Sequence, residues 1–223
     1  MNDIQVRGAD FLARITEGVM HELRNALATI KEHADFLQDF LSTTDENDFP
    51  EKEMFSRGLS AIDEQVVRSA ELATRLNTFA RGPDEPASEL DLNELLEILA
   101  YLSEPTARGK GVTLETIRED RPLIIVANPL KVQMVLFDCI DFLTRTAGTD
   151  GTLIIRPLRN ENGELMVDFS SPRTAKNSRR DNLRLAASPG WKDLQESVKD
   201  IHGWIVLREA PGWFTVVFKR DLI

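Results

Sequence analysis

Two long stripes of apolar side chains at helical spacing occupy the first eighty residues, and nothing else in the chain limits its fold so sharply. From Leu12 the positions run Ile15, Val19, Leu23, Ala26, Ile30, Ala34, Leu37 and Leu41, three or four apart throughout. That period puts them on one face of a helix of about eight turns. Turn residues in STTDENDFPEKE interrupt it, and Pro50 followed by Glu51 and Glu53 suits a new helix start, where proline fits the first turn and acids complement the dipole. The second stripe reads Leu59, Ile62, Val66, Ser69, Ala73, Leu76 and Ala80 in a heptad-like register. Two such helices joined by a short loop form an antiparallel hairpin whose apolar stripe is only half covered. Pairing residues 10–81 with a second copy closes a four-helix bundle, so a homodimer is expected.

The stretch RGPDEPASE, residues 81–89, concentrates glycine, proline, serine and acids and reads as a linker. It divides the chain into a helical hairpin, 1–82, and a second domain, 90–223. In the latter, 91–108 and 129–146 read as helices and GVTLETI and PLIIVA as strands. GTLIIRPL and ELMVDFS read as a hairpin around residues 160–163. A short helix from about 191 to 201 and a closing hairpin, WIVLREA with GWFTVVFKR, complete it. The expected class is α+β: a hairpin bundle followed by an α/β sandwich with helices on one face of a sheet of antiparallel strands.

With 42% hydrophobic residues the chain can bury a core, while a formal charge of -10 argues against a nucleic-acid partner, since phosphate contacts need a basic surface. The lone cysteine, Cys139, lies in the apolar run VLFDCIDFL and is expected to pack as a small hydrophobe. No basic-then-apolar leader opens the sequence, and no run of roughly 18 apolar residues occurs. The expectation is a cytoplasmic protein that does not enter a membrane.

Within the first helix stands GVMHELRNALATIKEHADFL, residues 18–37. At 100° per residue, His21 is about 200° from both Val19 and Leu23, so it points away from the stripe into solvent. From position alone a solvated bystander is the plainer reading. Zinc chemistry fails, because the His-Glu-x-x-His pattern needs a second histidine where Asn25 stands. Nucleophilic chemistry remains: an imidazole attacks an acyl or phosphoryl centre while the adjacent Glu22 bonds its other nitrogen and fixes the tautomer.

HELRNAL on the first of two long helices resembles the phospho-acceptor box of sensor histidine kinases, His-Glu-Leu-Arg-Asn-Pro-Leu, at six of seven positions. The departure is Ala26 in place of proline, which leaves the helix free to run straight past His21. More weakly, NPLKVQMVLFDCIDFLTRTAGTDGTLIIRPL and SVKDIHGWIVLREAPGWFTVVFKR are similar to segments of that family's nucleotide-binding domain. By this resemblance Asp141 stands where an asparagine would help hold magnesium and triphosphate, and Phe137 replaces an earlier asparagine. Ser171 lies near the place of the adenine-binding aspartate, in SSPRTAKN. The last glycine-rich loop is reduced to SPGWKDLQ, with Gly190 before Trp191. Loss of these groups implies loss of nucleotide binding, because phosphoryl transfer rests on positioning and charge stabilisation.

The whole pattern resembles the stand-alone histidine phosphotransferases of bacterial phosphorelays, which carry an inactive ATPase-like domain. That resemblance implies His21 as the phosphoryl carrier between aspartates of response-regulator receiver domains, with an upstream hybrid histidine kinase as donor. Glu22 would orient the imidazole, Arg24 would pair with phosphate or an acidic receiver, and Asn25 would position water for a companion phosphatase activity. It implies no cofactor or metal on the chain itself, the receiver bringing the magnesium. The alternatives are a divergent ATP-dependent kinase using Asp141 for magnesium, and a non-catalytic dimeric scaffold. His33 is expected to be structural or interfacial, and His202 to sit at a helix end before a capping Gly203. Trp191, Trp204 and Trp213 read as packing residues, and Lys176, Arg179, Arg180 and Arg184 as a solvated basic run.

Overall fold

The long helices form where the stripes place them. In the computed structural model, which describes residues 3–43, 52–80, 87–146, 151–171, 185–208 and 214–219, α1 spans Asp3–Thr43 and α2 spans Lys52–Ala80. The two pack along each other. Of the first stripe, Ile15, Val19, Ala26 and Leu37 are buried, and α1 continues unbroken past Ala26. The second stripe divides. The covered positions fall one residue earlier, with Gly58, Leu72 and Phe79 buried and Gln65 half-buried, whereas Leu59, Val66 and Ala73 face outward. One hairpin can cover only one face of α2, and Gly58 sets which face it is: a Cβ there would meet Leu37 Cδ2 at 3.0 Å.

Residues 88–91, where the sequence reading ends the linker at 89 and begins a helix at 91, instead form β1 (Ser88–Asp91), paired antiparallel with β3 (Ile124–Ala127). Four residues that are not strongly apolar carry little strand signal, and the pairing is with a partner more than thirty positions away. β1 leads into α3 (Leu92–Gly109), whose N-cap Asp91 accepts from the backbone N–H of Asn93 at 3.0 Å and of Leu123 at 3.1 Å. One carboxylate thus starts the helix and anchors the approach to β3.

The main sheet has the order β2-β4-β5-β7-β6, built from β2 (Val112–Thr116), β4 (Gly151–Arg159), β5 (Leu165–Ser170), β7 (Phe214–Phe218) and β6 (Gly203–Leu207). β2 runs parallel to β4, a departure from an all-antiparallel expectation, because the connection between them includes α4 (Pro129–Thr146). The remaining pairs are antiparallel. Leu153, Ile155, Leu165, Val167, Phe169, Val216 and Phe218 form the buried side of the sheet. α4 is buried over most of its circumference, and α5 (Trp191–Asp200) packs beside it. The class is α+β.

One apolar core runs through all of this. Phe11, Ile15 and Val19 of α1 and Leu72 and Phe79 of α2 join the cluster formed by α3, α4 and the sheet. Phe11 meets Phe79 at 5.5 Å and Phe137 at 5.2 Å between ring centroids, both edge-on. The base of the hairpin is therefore seated in the α/β layer. The stretches 44–51, 81–86 and 172–184, with Lys176, Arg179, Arg180 and Arg184, and Trp213 lie outside the described residues.

Candidate functional site

His21 is exposed on α1, as its angle from the stripe predicts. Its Nδ1 lies 3.1 Å from the side-chain amide nitrogen of Asn25, one turn on. Residues four apart are stacked neighbours on a helix, so this contact follows from the spacing. Two proton arrangements share the geometry: an amide N–H donating to Nδ1, or, with the amide turned over, Nδ1–H donating to the amide oxygen. The second leaves the Nε2 lone pair directed outward, unprotonated, where an electrophile could reach it.

Glu22 does not supply that contact. Its half-buried carboxylate is turned toward α2 and α3, with Oε1 at 2.5 Å from Arg68 Nη2 and 3.7 Å from Arg108 Nη1. The reason is angular, since adjacent helical residues diverge by 100° and Glu22 faces the seam where α3 meets the bundle. Asn25, rather than Glu22, is the neighbour in contact with the ring. Arg24 is exposed and, among the described residues, makes no ion pair. Arg68 and Arg108 had no signal in the sequence: each lies tens of residues from Glu22, and no period links them.

At the other end, Asp141 is 8% exposed and its carboxylate is held by three cations: Arg14 of α1, Arg145 at 2.8 Å and Lys110 at 3.6 Å. A buried carboxylate needs such partners. Surrounded by them, it does not fit a magnesium ion, which would have to displace or face three positive charges. Phe137 is buried against Phe11, with the Arg14 guanidinium 5.0 Å from its ring centroid. Asp138, one residue on, lies 3.9 Å from Arg7 and 3.8 Å from Arg14. Burial pushes its carboxyl up to about 6 against the pull of Arg14 and Arg7. α1 is thus clasped to the face of α4 on which the resemblance would place nucleotide.

A cleft of about 540 Å³ opens beside this face, between α4 and the start of α5. Asp138, Asp193 and Glu196 stand with Arg7 and Arg145 in its lining, so the cleft holds no excess of cations for a triphosphate. Gly190 is kept for a backbone reason: at φ 86° it occupies the left-handed region as it leads into α5. Trp191 packs between Phe142 and Phe214 at centroid distances of 5.8 and 5.6 Å, whereas Trp204 is 42% exposed on the edge strand. Ser171 is buried. His33 is half-buried on α1, and His202 holds a surprise at the end of α5: it, not Gly203, adopts the left-handed turn, at φ 55°. Gly203 is needed instead for closeness, because a Cβ there would stand 2.8 Å from the Val217 carbonyl oxygen.

Cys139 is fully buried, and desolvation raises its thiol well above the ordinary range, which leaves it unreactive. No described helix is long and apolar enough to cross a membrane.

No protein-family model and no curated protein matches the sequence. Among solved structures, the chain is similar to the Acinetobacter baumannii histidine kinase AdeS at 15% identity, covering 90% of this chain and 98% of that one, with a TM-score of 0.47. It is similar to the cytoplasmic segment of histidine kinase QseC at 15% identity, over 68% and 91% of the two chains, with a TM-score of 0.44. A third is histidine kinase ThkA in complex with response regulator protein TrrA, at 18% identity, 97% and 63% coverage and a TM-score of 0.43. At such identities and scores the likeness assigns neither a family nor a chemistry.

Proposed function

We propose that the chain is a histidine phosphotransferase of a bacterial two-component phosphorelay, passing a phosphoryl group between receiver aspartates through His21. The observation that carries the reading is the solvent-facing imidazole with its Nδ1 engaged by Asn25. With Nδ1–H donating to the amide oxygen, Nε2 attacks the phosphorus of a receiver's aspartyl phosphate in line. The N–P bond forms, the P–O bond to the aspartate breaks, and its electron pair returns to the receiver's carboxylate. Delivery to a second receiver is the same step reversed. Magnesium in this scheme belongs to the receiver. Asn25, set beside the ring, is also placed to orient a water for removal of phosphate from a docked receiver.

The cation nest around Asp141, together with a cleft that holds no excess of cations, favours this reading over an ATP-dependent kinase. In it the protein is a cytoplasmic homodimer through residues 10–81, and an upstream hybrid histidine kinase charges the first receiver. The test is to incubate the purified chain with a phosphorylated receiver domain and follow acid-labile label. Label on His21 that is lost in His21→Gln supports the reading. Label arising from ATP alone would establish the kinase instead, and undiminished receiver signalling with His21→Gln would leave only a scaffold.

A further inference from the structure

We propose that Arg108 is a phosphate-binding residue of the His21 site, seated beside the acceptor by Glu22 and able to turn from it to an arriving phosphoryl group; this rests on the reading that His21 accepts one. The last turn of α3 lies along the flank of α1 that carries His21. A Cβ at Gly18 would meet Thr106 Oγ1 at 3.4 Å, and Arg108 Nη1 is 3.7 Å from Glu22 Oε1. At 100° per residue, Gly18 and Glu22 stand about 60° and 100° round from His21 on the same side. The end of α3 therefore packs against the flank of α1 next to the one that carries the imidazole. Arg24 stands about 60° round on the opposite side, exposed.

The two guanidiniums on Glu22 are not equivalent. Arg68 is in direct contact at 2.5 Å, pairing guanidinium with carboxylate, and by itself neutralises it. Arg108 is beyond hydrogen-bond distance from Glu22. Its firm partner is Glu104, one turn back on its own helix at 2.7 Å, and half of its side chain is in water. An exposed pair of that kind contributes little, whereas a guanidinium fork on phosphoryl oxygens makes strong paired bonds. Exchange of the exposed Glu104 for phosphate is thus favourable at Arg108, whereas Arg68 would have to give up its close bond to Glu22. Glu17, one turn before His21 on α1, is exposed beside it, and Glu22 and Glu104 stand with Arg68 and Arg108, so what Arg108 offers a phosphoryl group is a single guanidinium fork rather than a net positive surface.

The experiment uses phosphoramidate as a donor that needs no receiver. His21 Nε2 forms a bond to phosphorus, the P–N bond of the donor breaks with its electron pair, and the departing nitrogen takes a proton and leaves as ammonia. Labelling of the full chain is followed by the mass of the His21 peptide, with limiting rate and half-saturating donor concentration measured separately. Arg108→Ala is expected to lower the ratio of the two by about tenfold or more. Arg108→Lys should recover part of it, as a point charge without the fork, and both variants should melt with the wild type. Wild-type labelling in Arg108→Ala, or a loss of rate that tracks a loss of fold in both variants, would overturn the assignment of Arg108 alone. A wild-type chain that takes no label on His21 at saturating donor would overturn the reading beneath it.

Discussion

Single residues near the end of α5 separate two uses of backbone freedom that the dipeptide His202-Gly203 does not distinguish. The helix ends with His202 in the left-handed region and its backbone N–H donating to the Lys199 carbonyl at 2.9 Å. A side chain there costs about 1–2 kcal/mol, partly offset by the smaller unfolded entropy of a non-glycine residue. His202→Gly should therefore stabilise by about 0.5–1 kcal/mol and raise the melting temperature by about 2 °C. Gly203→Ala should do the reverse and more, costing roughly 1–3 kcal/mol, because its new methyl group meets the Val217 carbonyl and Val198 rather than a movable side-chain tip. Thermal unfolding of the two variants checks both signs. At the acceptor, the sequence announced His21 and its direction, because exposure follows from angular distance to a stripe. It could not announce that Glu22 turns to Arg68 and Arg108, since that choice depends on where α3 docks.

Between elements, the clasp of α1 on α4 is the feature whose chemistry depends on pH. Asp138 is pushed up to about 6 chiefly by burial, so the folded chain disfavours its charged form in spite of Arg14 and Arg7. Below the ordinary carboxylate range the group is protonated in both states and contributes nothing. As pH rises from about 4 to 6, the unfolded chain releases this proton first, so stability contributed by the site falls and stays lower above 6. Asp138→Asn mimics the protonated form. It is expected to melt higher than the wild type at pH 7.5, with the gap closing by about pH 4; a gap that persists unchanged at pH 4 would assign the effect to packing instead. The helices and strands that make this clasp were legible as elements: α4, the β4–β5 hairpin and α5 lie within a residue or two of their expected bounds. Their meeting was not, because Arg14 and Asp141 are 127 residues apart and an ion pair across that distance leaves no period in the sequence. β1 escaped for the same reason, its pairing being its only strand signal.

For the whole molecule, the hairpin's division of labour leaves a surface that a single protomer does not cover. Met20, Leu27 and Ala34 repeat every seven residues on α1, and Leu59, Val66 and Ala73 do so on α2; all six are exposed, Leu27 at 62% and Leu59 at 51%. On α2 the exposed ladder is set off by one residue from the covered one, buried at 58, 72 and 79 and half-buried at 65, so it is not a frayed part of the intramolecular seam. Sustained heptads of this kind on two adjacent helices are the packing surface of a left-handed bundle, and an apolar face left in water is a liability that a second copy removes. Sedimentation at micromolar concentration should therefore return twice the chain mass of 25.2 kDa, with a melting temperature that rises with concentration. Leu27→Glu combined with Val66→Glu should give a folded monomer, because both side chains are already outside the protomer core and their replacement opens no cavity. Its circular dichroism should match the wild type while its mass halves. A wild-type chain that sediments as a monomer, or a double variant that remains a dimer, would leave the two ladders without a partner and remove the bundle from the scheme, although His21, which projects from another face of α1, would keep its exposure in either state.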